Sequence, residues 1–178
     1  DMACAFGSLG RLHSIDHSEL SLNWTYKTDR SRKGAFFKEP PLIFNNIAII
    51  GDGSGLLHVV DLKTGEMIAE YDLLNPISEP PVYSDGYVYV VDYSNHRIKK
   101  YTRELAYIRS FGSNGTGASQ LKNPRGVAID KDGTIYVADY SNYRIVKFSA
   151  SGEGEVFIGT TGITGAGPDS LGNVYDVA

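Results

Sequence analysis

"VDYSNHRIKKY" at residues 91–101 returns as "ADYSNYRIVKF" at 138–148, 47 positions later. A phrase repeated at such an interval is the mark of a repeat architecture. The surroundings repeat as well: "EPPVYSDGYVYVVDYSNHRIKKYTRELAYIRSFG" at 79–112 and "NPRGVAIDKDGTIYVADYSNYRIVKFSASGEGEVFIG" at 123–159 each read strand, turn, strand, turn, strand, turn, strand. The second copy predicts strands over Gly126–Ile129, Thr134–Ala138, Arg144–Phe148 and Glu155–Ile158. The turns between them, "DKDG", "DYSN" and "SASGEG", are rich in residues that tolerate positive φ or bond back to their own backbone. Four antiparallel strands per unit of this length is the period of a propeller blade.

The upstream half carries the same unit in other words. "LIFNNIAIIGDGSGLLHVVDLKTGEMIAEY" at 42–71 supplies four strands, and "FGSLGRLHSIDHSELSLNWTY" at 6–26 supplies the pattern without its first strand. Aligning the residue that ends each second strand gives Gly7, Asp52, Asp92 and Asp139, in steps of 45, 40 and 47. The fold expected is all-β, a propeller of four-stranded antiparallel blades. It forms a single domain over 1–178, with blade units near 2–27, 41–72, 79–112 and 123–159 and a partial one at 163–178. "YVYVV" and "TIYVA" have almost no polar position, as expected of strands covered on both faces by neighbouring blades. The stretch "GAGPDSLGNVYDVA" at 165–178 aligns with "RGVAIDKDGTIYVA" at 125–138 and predicts the start of a further blade.

Composition agrees and sets limits. Twenty Gly and 12 Tyr in 178 residues suit many tight turns joining short strands. A net charge of −4 gives no footprint for wrapping a phosphate backbone, so nucleic acid is disfavoured as a partner. Cys4 is the sole cysteine and leaves the redox compartment unread. No apolar run reaches the length of about 18 residues that a membrane-spanning helix needs. "DMACAFGSLG" has no signal-peptide pattern, so any leader is expected to be removed or to lie upstream of Asp1. An extracytoplasmic setting is the expectation.

Residues 79–159 resemble NHL repeats, through Pro124, Arg125 and Gly126 before the first strand, "DGTIYVAD" across the first hairpin, and Asp-x-x-Asn-x-Arg-Ile after it. Residues 6–71 are similar to blades of PQQ-type propellers, with "GLLHVVDLKTGE" and with Trp24 eight residues after Asp16. That resemblance implies a tryptophan docked in each blade, and the second unit has Ala69 there instead. Both resemblances imply rings of more blades than the four repeats present. The chain is therefore expected to be part of a larger propeller or to complete its blades by association, because an open stack leaves faces wet and edges unpaired.

The repeated phrase has a physical reading as a turn clamp. Asp92 and Asp139 end a strand and offer a carboxylate to the following backbone. Asn95 and Asn142 suit a left-handed turn position, and Arg97 and Arg144 return across the hairpin to pair with the carboxylate. His13 and His58 hold equivalent places and read either as two ligands of one metal or as packing between blades. Packing is the expectation, and no metal or cofactor is expected. His96 and His17 sit in turns with no partner visible in the sequence. "DKDG" at 130–133 lacks the later acidic ligands of a calcium loop, which needs about six to eight oxygens, and reads as a turn with Gly133 left-handed. "GSNGTG" at 112–117 lacks the following lysine and helix of a phosphate cradle and reads as a connection between blades. Catalytic Ser-His-Asp chemistry has no motif here. "NWT" and "NGT" are acceptor sequons with no further support, and "RSRKG" at 30–34 reads as a basic loop.

Tyr93, Tyr140 and Tyr143 fall in turns after second strands, on one rim. With Arg125 they are the candidate contacts for a partner or ligand. Two function classes follow. One is a non-catalytic scaffold whose rim binds a protein or ligand, or another copy of the chain. The other is a propeller enzyme, an NHL-like lyase or a quinoprotein dehydrogenase, acting at a central channel. The inner strands "PPLIF", "PPVYS" and "PRGVAID" carry no histidine, which favours the scaffold.

Overall fold

In the computed structural model, described for residues 2–7, 11–16, 21–28, 37, 39–77, 79–159 and 171–177, nearly all regular structure is β. The chain divides into two compact units, Asp1–Pro81 and Val82–Ala178. The first holds a three-stranded sheet of β1 (Met2–Gly7), β2 (Arg11–Asp16) and β3 (Ser21–Lys27). It also holds a four-stranded sheet of β4 (Leu42–Phe44), β5 (Ile47–Gly51), β6 (Leu56–Asp61) and β7 (Met67–Asp72). The second unit holds two four-stranded sheets. One is β8 (Val82–Ser84), β9 (Tyr87–Asp92), β10 (Arg97–Thr102) and β11 (Tyr107–Phe111); the other is β12 (Val127–Ile129), β13 (Ile135–Asp139), β14 (Arg144–Phe148) and β15 (Gly154–Ile158). Every sheet is an antiparallel meander in sequence order, the construction of a propeller blade.

Local chemistry explains the strand boundaries. The β4–β5 and β8–β9 hairpins turn on Asn45–Asn46 and Asp85–Gly86, all four at positive φ, which two-residue hairpins of matching twist require. Strand pairs β2–β3, β6–β7, β10–β11 and β14–β15 each contain a register shift, which leaves one extra residue in the outermost strand. Those residues are Asn23, Ile68, Ile108 and Phe157. A bulge of this kind bends the edge strand and breaks its ladder, which protects the blade's open side.

The cores lie between successive sheets. In the first unit Leu12 from β2, Ala48 and Ile50 from β5 and Val60 from β6 pack with Phe37 and Leu62, against Trp24 and Tyr26. In the second, Tyr89, Val91, Ile98 and Phe111 of one sheet pack on Val127, Ile135, Val137, Val146 and Phe148 of the next. The middle strands are buried at nearly every position, as their unbroken apolar runs predict. Among the described residues no helix is long and apolar enough to cross a membrane.

Two expectations are corrected. Asn95 and Asn142 are not the left-handed residues: each closes a single 3-10 turn, Tyr93–Asn95 and Tyr140–Asn142, and the positive φ falls on His96 and Tyr143. The asparagine side chains are needed to hold the aspartates, so the backbone reversal passes one residue on. Residues 171–177 form no strand; residues 163–170 of the predicted partial blade, His17 and "RSRKG" lie outside the described residues.

Candidate functional site

The turn after β13 is built around Arg144, which is 1% exposed. Its Nε donates to Asp139 at 2.7 Å, and its two terminal nitrogens donate to the carbonyls of Thr116, Gly117 and Gln120 at 2.7–2.8 Å. Asn142 donates to Asp139 and to the Gly115 carbonyl, and the Lys122 N–H donates to Asp139 at 2.6 Å. The glycine-rich connection at 112–121 is thus wound around a buried guanidinium. Glycines let its carbonyls converge, and the Arg144 fork satisfies three of them at once.

The equivalent turn after β9 is looser. Asp92 receives Asn95, Arg97 at 2.9 Å and Lys99 at 3.0 Å, but the Arg97 side chain is 37% exposed. Burial pushes the Asp92 carboxyl up, while hydrogen bonds from Lys99, Arg97 and Asn95 outweigh it and hold the group below the ordinary carboxylate range. In the first unit Asp52 accepts from the Ser54 and Leu56 N–H groups and the Ser54 hydroxyl, and lies 3.2 Å from His58 Nε2. Burial raises this carboxyl too, and the bonds from His58, Leu56 and Ser54 bring it below its usual value.

The histidines do not converge. His13 bonds Thr25 at 2.9 Å, while His58 is fully buried with Nδ1 2.9 Å from the Tyr26 hydroxyl and 3.5 Å from Glu70. Burial, then the charges of Glu70 and Asp52, push Tyr26 up to about 12, so its hydroxyl keeps its proton. Among the described residues no cluster of three His, Cys, Asp or Glu side chains is arranged to hold a metal ion. His96, read from sequence as partnerless, accepts the Asn123 N–H at Nδ1, 3.0 Å away.

Of the rim candidates, Arg125, Tyr93 and Tyr140 come together and Tyr143 does not join them. The Arg125 guanidinium carbon lies 5.2 Å from the Tyr93 ring centre, 4.8 Å from Tyr140 and 5.3 Å from Tyr175. All four candidates are half-buried, not fully exposed as their turn positions suggest. Tyr175 is the member that sequence reasoning missed. Its ring sits 5.0 Å from that of Tyr140, and the two hydroxyls approach to 3.5 Å. That hydroxyl contact, then partial burial and the neighbouring Tyr175 charge, raise Tyr140 against the lowering effect of Arg125. Repeat alignment placed Tyr175 at the strand position of Ile135, so no sequence signal put it on the rim. Chemically the cluster offers a cation, π faces and phenol hydroxyls on a half-open surface, the groups that anchor protein contacts.

Comparison with known proteins matches the NHL repeat family over residues 121–148, the blade that carries Arg125, Asp139 and Arg144. The outer membrane protein assembly factor BamB of Moranella endobia (strain PCIT) is 24% identical over 143 residues, 69% of this chain and 37% of that protein. BamB of Yersinia pestis is 27% identical over 100 residues, 50% of this chain and 25% of its own length. The chain therefore spans about a quarter to two-fifths of these relatives. Among solved structures, BamB from Moraxella catarrhalis aligns with all of this chain and 61% of its own at a TM-score of 0.55 and 16% identity. A quinohaemoprotein alcohol dehydrogenase from Comamonas testosteroni aligns with 90% of this chain and 34% of its own at 0.69 and 14%. At these identities the structural likeness is one of fold. The chain is built of four-stranded antiparallel sheets of the β-propeller fold, and residues 121–148 match the NHL repeat.

Proposed function

We propose that the chain is a non-catalytic binding scaffold that takes a protein partner on the rim marked by Arg125, Tyr93 and Tyr140, with Tyr143 in the same turn as Tyr140. The observation that carries this reading is the gathering of tyrosine rings around one guanidinium on a half-open surface. Tyrosine and arginine are the residues most enriched where protein contacts draw their energy. The BamB relatives, named as assembly factors, support the same class. The likeness to a dehydrogenase brings no chemistry with it.

A photo-crosslinking residue at Tyr93, installed in the cell that makes the protein, tests this. One discrete protein adduct is expected from position 93, lost when Arg125→Ala is added. The same probe at Lys131, in an exposed hairpin, should give none. Equal adducts from both positions, or none from 93, would overturn the reading.

A further inference from the structure

We propose, resting on that binding reading, that Gly126, Arg125 and Tyr140 form a seat for an extended segment of a partner protein that carries an aromatic residue. In this chain residues 171–177 occupy the seat in cis.

The seat is specific to the last blade. Leu42, Val82 and Ala128 pair three residues before the turn aspartates Asp52, Asp92 and Asp139. Counting back two places from each gives Pro40, Pro80 and Gly126. Proline has no N–H to offer a neighbouring segment. Gly126 uses its carbonyl within the blade, accepting from Ala138 N–H at 2.9 Å, and turns its own N–H outward to the Tyr175 carbonyl at 3.0 Å. One place earlier the residues are Glu39, Glu79 and Arg125. The last blade alone of these three therefore offers an N–H not used within its own sheet and a positive charge at these places.

The fit is close. A Cβ on residue 126 would lie 2.6 Å from the Asp176 Cα and 2.9 Å from the Val177 nitrogen, so the seat needs glycine for approach, not for its backbone angle. Tyr175 lays its ring against Tyr140 and Arg125, and Asn173 donates to the Tyr140 hydroxyl at 3.2 Å. One backbone rung plus an aromatic anchor is how an extended peptide is read at a strand edge. The occupant is held lightly: it joins no sheet, none of residues 171–177 is buried, and Tyr175 is 56% exposed. A segment held so lightly is exchangeable for one of the same chemistry.

The probe is a labelled peptide of sequence Leu-Gly-Asn-Val-Tyr-Asp-Val, titrated by fluorescence anisotropy. A tethered segment competes at an effective concentration near millimolar, so Tyr175→Ala is expected to raise peptide affinity about tenfold or more over the unaltered chain. Adding Gly126→Ala or, separately, Arg125→Ala to the Tyr175→Ala chain should reverse that gain, as should replacing the peptide's tyrosine by alanine. Arg125→Ala leaves the backbone at 126 intact and guards against a folding defect. Equal binding to the unaltered and Tyr175→Ala chains, or none to either, overturns the proposal. So does a dimer of the unaltered chain that the peptide dissolves, because the occupant would then be a second copy. Peptide failure with the Tyr93 adduct retained removes the seat and leaves the binding scaffold; loss of both removes the scaffold too.

Discussion

Arg97 and Arg144 stand five residues after equivalent aspartates, and each donates its Nε to the carboxylate, at 2.9 and 2.7 Å. Their surroundings make them unequal. Arg144 and Asp139 are buried and the guanidinium also serves three loop carbonyls, whereas Arg97 reaches solvent and shares Asp92 with Lys99. Removing one partner of a buried pair strands the other, which costs about 3–5 kcal/mol. The buried Asp92 instead keeps Lys99 and Asn95 when the partly exposed Arg97 is lost, so that loss stays near the scale of an exposed pair, less than about 1 kcal/mol. Arg144→Ala should therefore lower stability by about 3–5 kcal/mol and Arg97→Ala by less than about 1 kcal/mol, read from urea unfolding midpoints. Arg144→Lys should recover little, because an ammonium cannot fork toward three carbonyls and a carboxylate together. Equal costs for the two alanine variants would mean that the repeated phrase, and not its burial, sets the energy.

At the scale of elements, β3 meets the turn that follows β6 through one side chain. Trp24 Nε1 donates to the Leu62 carbonyl at 2.9 Å, and its ring covers Gly65, where a Cβ would come within 2.6 Å of the indole. Gly65 also has φ +74, and Asp61 fixes the turn by accepting the Lys63 and Thr64 N–H groups. Gly65→Ala combines overpacking with backbone strain and should cost about 1–3 kcal/mol. Trp24→Phe keeps an aromatic side chain but loses the indole N–H and its bond to Leu62, at about 1 kcal/mol or more. Trp24 is the sole tryptophan, so a red-shifted emission in the Gly65→Ala chain would report undocking directly; unchanged emission and stability would refute this packing account. The blade strands were legible because turns and apolar runs are local signals, whereas the docked tryptophan was only what the resemblance to PQQ-type blades implied. In the last blade the predicted strands differ from the observed ones by a residue at most. Residues 171–177 misled because "VYDV" has a strand's composition, and pairing, not composition, makes a strand. The contacts of Arg144 with 116–120, His96 with Asn123 and Tyr175 with Tyr140 join residues 24 to 35 apart; no local pattern encodes such meetings.

For the molecule as a whole, the turn aspartates set the response to acid. Asp52 and Asp92 are held below the ordinary carboxylate range by the bonds that overcome their burial. The half-buried Asp61 and Asp130 are lowered chiefly by the backbone N–H groups of Thr64 and Thr134. A group whose folded pKa is depressed binds fewer protons folded than unfolded, so its stabilisation is complete above the unfolded value, about 3.9 for aspartate, and is lost as pH falls through the folded one. Urea midpoints are therefore expected to drop as pH descends from about 5 toward 2. Protonation also turns a net charge of −4 into an excess of the 17 lysines and arginines, and the self-repulsion that follows would steepen the same fall. Salt separates the two causes, since about 0.5 M screens distant charges but leaves buried hydrogen-bonded carboxylates nearly untouched. In that salt the Asp52→Asn, Asp92→Asn double variant should be less stable at pH 7 and show a shallower decline with acid than the unaltered chain. Asp61→Asn with Asp130→Asn should change the slope less, because solvent already shares those carboxylates. A double variant at 52 and 92 that declines as steeply as the unaltered chain in that salt, where repulsion is already screened, would place the acid sensitivity in other groups, and these two turn aspartates would then be ordinary surface carboxylates in energetic terms.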